Sequence, residues 1–322
     1  FFNDNGSTAT EIGIKMALQY HYNQQNNRKV MLAFEEGFHG DTFGAMSVSD
    51  LSVYNGAFQE HFIAVKRIPV PNGENTQEIL SQLEEIHQQS PLAGFIYEPL
   101  VQGAAAMKMH HEEGLEEILK FCKSKDIILV ADEVMTGFGK TGKNFASAYL
   151  QTQPDIVCMS KALTAGLLPM GATSCTQKVF DAFYDDNIAK GLFHGHTYTA
   201  NPLACSAALA GIKLLTSPEM QQNIQQIHQH HLAFNEQVKN HPLVANTRCK
   251  GTIFALDLSV EMSRYGNLRD KIYNYFMSKG IYLRPLGKTI YIACPYVISK
   301  SQLHRIYEAI LNLLDELRED VC

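Results

Sequence analysis

The chain has 322 residues, of which 45% are hydrophobic and 19% charged, with a formal net charge of -6. That is enough apolar material for one large domain or two smaller ones with separate cores, and the mildly acidic balance argues against nucleic acid or an anionic membrane surface as partner. No apolar run approaches the roughly 20 residues that cross a bilayer, and the opening residues do not read as a secretory leader.

Phe1-Phe2-Asn3-Asp4-Asn5 carries no initiator Met and reads as the end of a strand, so the chain is expected to begin partway into its domain. Helical spacing follows over residues 8–22, then a short buried-strand run at Val30–Phe34. The alternation continues with a helix over 77–87, a strand at 93–97, a helix over 114–124, and strands at 127–131 and Ile156–Met159. Strand-helix alternation of this kind predicts an α/β domain with a mostly parallel sheet. An Ala-rich helix is expected over 201–215 and a Gln-rich one over 218–239, with Pro218 marking the break. Beyond Pro242 the texture changes to an α+β pattern, with strands at 244–248, 252–258, 281–284 and 289–293 and helices at 268–278 and 300–318. The expected division is a large domain over 1–215 and a smaller C-terminal domain with its connecting helix over 216–322.

Seven cysteines occur, Cys122, Cys158, Cys175, Cys205, Cys249, Cys294 and Cys322, with irregular spacing and no C-x-x-C. Several sit in apolar runs, so they read as free thiols in a reducing cytoplasm.

Four features carry chemistry. Asp132 ends an apolar strand, at the edge where open α/β sheets bind ligands, and can pair with a cationic nitrogen or merely cap a loop. Lys161 follows the next strand amid small and apolar neighbours, where desolvation frees an amine as a nucleophile; the alternative is a lysine that snorkels to solvent. Gly6-Ser7-Thr8 opens the first helix, where free N–H groups favour a phosphate or where an ordinary N-cap sits. Gly195-His196-Thr197 precedes the helix near Asn201 and is a second phosphate candidate. Together these are the parts of a pyridoxal 5′-phosphate site: a phosphate cradle, an acid for the pyridine nitrogen and a lysine for the covalent bond.

The stretch from Ala131-Asp132-Glu133 to Gly142, followed by Ser160-Lys161-Ala162-Leu163, resembles the class III aminotransferases of PLP fold type I. So do Asn5-Gly6-Ser7, Phe38-His39-Gly40, Tyr97-Glu98-Pro99 and Asn201-Pro202-Leu203-Ala204. Lys15 to Tyr20, Gly40 to Val48 and Arg284-Pro285-Leu286-Gly287-Lys288 look most like the branch that aminates 8-amino-7-oxononanoate to 7,8-diaminononanoate in biotin biosynthesis, with S-adenosylmethionine as donor. The resemblance implies pyridoxal 5′-phosphate as cofactor, Lys161 as Schiff-base lysine and Asp132 as ring-nitrogen partner. It implies Gly6 and Ser7 on the phosphate, Phe38 on the ring, and Gly195 and Arg284 on substrate. It further implies a homodimer in which Thr197 reaches the other subunit's phosphate, with His196 beside it. Phe38 stands where the better-known members have Tyr, and His196 where they often have Pro. The chain has no Trp, although the family uses an N-terminal Trp in its substrate pocket.

Rival readings are another class III enzyme acting on ornithine or 4-aminobutyrate, which the 284–288 segment disfavours, and a non-catalytic scaffold, which Lys161, Asp132 and Thr197 disfavour. Gly137 to Gly142 fits G-x-G-x-x-G, but no clear long helix opens from it, so a dinucleotide site is not expected. His110-His111 and His228, His230 and His231 lie in polar stretches without matched ligands, so no metal is expected.

Overall fold

Short runs of β-branched and apolar residues build the centre of the molecule, and the computed structural model describes residues 1–50, 55–260, 262 and 266–321. In chain order the first elements are β1 (Phe2–Asn3), α1 (Gly6–Asn23), β2 (Val30–Phe34), α2 (Phe43–Val48), β3 (Val65–Ile68), α3 (Thr76–Gln89), β4 (Leu92–Tyr97) and the small hairpin β5 (Val101–Gln102) and β6 (Lys108–Met109). Then come α4 (Glu112–Ser124), β7 (Ile128–Asp132), β8 (Ile156–Met159), β9 (Gly171–Cys175), α5 (Gln177–Asp181) and α6 (Pro202–Leu215). The remainder is α7 (Pro218–Val238), β10 (Val244–Lys250), β11 (Ile253–Leu258), α8 (Asn267–Ser278), β12 (Thr289–Ala293) and α9 (Lys300–Val321).

The chain forms two compact units, one of Phe1–Phe138 with Phe145–Leu214, the other of Gly139–Asn144 with the residues from Leu215 onward. The first holds a seven-stranded sheet in the order β1-β9-β8-β7-β4-β2-β3. β3, β2, β4, β7 and β8 pair in parallel, while β9 is antiparallel to both β8 and β1. Two reversals cancel, so β1 runs the same way as the parallel strands. Every residue of β4 and β7 is buried, as expected of a sheet covered on both faces. α1 presses Ala9, Ile12, Met16 and Ala17 into a core with Val130, Ile156 and Cys158. Gly13 permits the close approach, since a Cβ there would lie 2.9 Å from both Cys158 Sγ and Val130 Cγ1.

The second unit has a three-stranded antiparallel sheet, β10-β11-β12. Its core gathers Phe234, Val238, Phe254, Phe276, Ile290 and Tyr307, with the Phe234 and Tyr307 rings stacked at 4.1 Å. Residues 281–284 are not a strand: β12 pairs along its length with β11 and meets the preceding loop only through an isolated Leu286–Thr289 bridge, and Pro285 lacks the N–H that would extend a ladder. The 137–142 glycine motif opens no helix, and its Lys140 carbonyl accepts the Thr252 amide at 2.9 Å. The spacing also passes over β3, β9 and α2. Cys122, Cys158, Cys175, Cys205, Cys249 and Cys294 are free thiols, and Cys322 lies outside the described residues. No described helix is long and apolar enough to cross a membrane.

Candidate active site

Parallel strands deliver their succeeding loops to one edge of the sheet. β4 is followed there by Glu98, β7 ends on Asp132, β8 leads to Lys161, β2 leads to the loop carrying Phe38 and His39, and β1 leads to the N-terminus of α1. The sequence therefore assembles Gly6, Ser7, Phe38, Asp132 and Lys161 at one edge of the first unit.

At the α1 end, Asn5 caps the helix by accepting the Thr8 amide at 3.0 Å, and its carbonyl takes the Ala9 amide. The amides of Gly6 and Ser7, in the first turn, have no intrahelical acceptor and carry the positive end of the helix dipole. Gly40, at φ +130°, lies against this turn: a Cβ there would stand 2.3 Å from Ser7 Oγ, which accepts the Asp41 amide at 3.1 Å.

Asp132 is buried. Its Oδ2 lies 2.7 Å from His39 Nδ1 and its Oδ1 accepts the Val134 amide at 3.1 Å. A second buried carboxylate, Glu98, accepts the amides of Phe38 at 3.2 Å and Gly103 at 2.9 Å. Burial pushes the Glu98 carboxyl up to about 7; the charge of His39 opposes the rise and that of Asp132 adds to it. A third acid, Glu133, accepts from Thr136 Oγ1 and from the Ala146 and Ser147 amides, pinning the chain after β7. In the sequence His39, Glu98 and Glu133 stand out only as members of family motifs and carry no assigned role, although each is a polar residue directly after, or in the loop following, a buried strand.

Lys161 opens a 3-10 turn, Lys161–Thr164, at φ +45°. Its side chain is exposed, contrary to the shielding its neighbours suggested, because the turn stands beyond the end of β8 rather than within the strand. Ser160 Oγ donates to Met170 O at 2.7 Å and anchors the turn. α6 packs close by, since a Cβ on Gly211 would lie 3.3 Å from Ala165 N.

His196 is brought to the loop before α1, with Nδ1 2.7 Å from Asp4 Oδ2. Gly195 and Thr197 beside it are exposed. Arg284 belongs to the second unit, in the loop before β12, and is exposed.

Residues 1–314 match the family model described as Aminotransferase class-III. The chain belongs to the class III aminotransferases. Among relatives of this class III aminotransferase is the adenosylmethionine-8-amino-7-oxononanoate aminotransferase of Synechococcus elongatus, 40% identical over 98% of this chain and 76% of the relative. The protein of that name from Helicobacter pylori is 30% identical over 99% of this chain and 75% of its own. A solved structure of that name from Methanocaldococcus jannaschii superposes with a TM-score of 0.92 at 31% identity, covering 98% of this chain and 75% of that one. An amine transaminase from an uncultivated Pseudomonas species, solved with PLP bound, gives 0.87 at 28% identity over 96% and 74%. This class III aminotransferase is of PLP fold type I and is a PLP-dependent transaminase. Its residues fit the group: two free amides and a hydroxyl for the phosphate, no side chain on Gly40 to fill the cradle, and a buried acid for a protonated ring nitrogen.

Proposed function

We propose that the chain transfers an amino group to 8-amino-7-oxononanoate, giving 7,8-diaminononanoate for biotin biosynthesis, with S-adenosylmethionine as donor. The name shared by the Synechococcus elongatus, Helicobacter pylori and Methanocaldococcus jannaschii proteins, each aligned over nearly all of this chain, carries the reading.

When bound, pyridoxal 5′-phosphate supplies an electron sink for the charge left when a proton leaves the substrate carbon. Gly6 and Ser7 donate to its phosphate, with His196 alongside, and Phe38 stacks on its ring without adding a hydroxyl. Asp132 holds the proton on the ring nitrogen, which keeps the ring able to accept charge. Lys161 Nζ would hold the cofactor covalently and, as a free amine, would be the base that takes up and returns the proton at the reacting carbon. The Gly195 backbone contacts substrate. Arg284 grips the carboxylate remote from the reacting carbonyl through two parallel hydrogen bonds, which a lysine cannot reproduce.

The enzyme works in the cytoplasm as a homodimer, with Thr197 reaching the phosphate in the partner's site. Free, buried Cys122, Cys158 and Cys294 suit a reducing compartment, and the exposed Leu203, Leu209, Phe193 and Tyr198 suit a subunit interface. A screen of amino donors and acceptors on the PLP-loaded protein tests the assignment. Turnover is expected with 8-amino-7-oxononanoate and S-adenosylmethionine. Turnover with ornithine or 4-aminobutyrate and none with 8-amino-7-oxononanoate would replace it with the ω-amino-acid reading.

A further inference from the structure

His39 is held at three points by three separate parts of the fold. Its N–H donates to Ser49 Oγ at 2.8 Å, its carbonyl accepts from Thr10 Oγ1 at 2.7 Å, and its Nδ1 lies 2.7 Å from Asp132 Oδ2. An ionised carboxylate cannot donate, so Nδ1 carries the proton of that last bond. The His39 side chain is 1% exposed and Thr10 0%. The Thr10 hydroxyl also lies 2.9 Å from Ser7 O, so its one hydrogen is shared between the first turn of α1 and the His39 backbone. The residues after His39 close the connection: Gly40 lies on Ser7, and the Asp41 amide donates to Ser7 Oγ.

This loop therefore joins Ser7 to Asp132 through a short chain of hydrogen bonds, buried at Thr10, His39 and Asp132 and more open at Ser7. In the proposed function, those two residues take opposite ends of one rigid ligand. A ligand that cannot flex is held at both ends only if the protein fixes the distance between them before binding. We propose that Thr10 and His39 form a strut that sets the separation of Ser7 and Asp132 and the aim of the Asp132 carboxylate. Both are positioning residues, and neither touches the cofactor. The inference rests on the assignment of Ser7 to the phosphate and Asp132 to the ring nitrogen.

The test is titration of the apo protein with pyridoxal 5′-phosphate, reading the dissociation constant, the pH midpoint of the visible band and the melting temperature of the apo form. His39→Leu removes a hydrogen bond to a charged group and is expected to weaken binding by about 10- to 100-fold and to move the pH midpoint. His39→Asn, whose amide N–H reaches the place of Nδ1–H, recovers most of both. Thr10→Val, similar in shape but lacking the hydroxyl, weakens binding by about 3- to 10-fold, and Thr10→Ser does not. In Thr10→Val/His39→Leu the losses fall short of the product of the singles, because both break the same strut. Wild-type affinity and midpoint in His39→Leu would overturn the proposal, even with a lowered apo melting temperature, as would losses that simply multiply. Asp132→Asn separates the levels. If it leaves affinity and band unchanged, the Asp132 assignment itself fails; if it changes both and His39→Leu does not, only the strut fails.

Discussion

Lys161 sits at φ +45°, where a side chain crowds its own carbonyl, and Ala165 at φ +54° repeats the feature four residues on. Such a conformation costs on the order of 1 kcal/mol and marks a position kept for something other than stability. Replacing Lys161 should therefore separate function from fold. Lys161→Ala and Lys161→Gly are both expected to lose all turnover. Urea unfolding of the apo proteins should find the glycine variant more stable than the alanine one by about 1 kcal/mol, since only glycine takes this φ without strain. Borohydride reduction of the loaded enzyme followed by peptide mapping should place the label on Lys161; label on another lysine would remove the assignment.

Glu98 makes a second residue-scale prediction. Its folded value of about 7 lies above the ordinary 4.5, so the folded state binds the extra proton. The stabilising contribution of that proton is complete below about 4.5 and is lost as pH rises through about 7. Glu98→Gln removes the titration while sacrificing one amide acceptor. The stability of Glu98→Gln relative to the parent should therefore rise between about pH 5 and about pH 8, by on the order of 2 kcal/mol. Urea midpoints of the apo proteins at the two pH values measure it. A difference independent of pH would mean that Glu98 does not titrate in this range.

Among the elements, α6 has a surface that its Ala-rich sequence does not announce. Leu203 and Leu209 are 75% and 71% exposed, and Leu214 is exposed as well. These exposed leucines lie on the helix that packs against the Lys161 turn, so covering that helix with a second copy would bring the copy near Lys161. Mixing Lys161→Ala and Thr197→Ala subunits tests this arrangement. With shared sites, each hybrid dimer has one site carrying both lesions and one carrying neither, and activity returns to a substantial fraction of the parent's. With sites made by single subunits, no hybrid site is intact and activity stays at the level of Thr197→Ala alone, once subunit exchange is verified. Other elements show where sequence patterns inform and where they do not. β4, β7 and β8 are legible because their runs are apolar and mostly buried. β9 is Gly-Ala-Thr-Ser-Cys, too small and polar to signal a strand, and is recruited only because β8 and β1 flank it. β3, Val-Lys-Arg-Ile, hides its apolar ends behind two charges, and α2 is six residues long.

For the molecule as a whole, the candidate site was legible to the extent that it depends on strand direction. Asp132 and Lys161 follow from reading the ends of adjacent parallel strands. His39 and Glu98 do not, because their importance comes from pairing across 93 residues in one case and from burial among other charges in the other. The reversed strand β9 has a consequence for how the protein is made. β1, which leads into the first turn of α1, is hydrogen-bonded to β9, with Phe2 opposite Ala172. A ribosome adding about 5–20 residues per second delivers that partner roughly 10–30 s after β1 itself emerges. During synthesis the first turn of α1 therefore waits beside an incomplete sheet, held by its packing on Val130, Ile156 and Cys158 but without the β1–β9 pairing until Cys175 has been made.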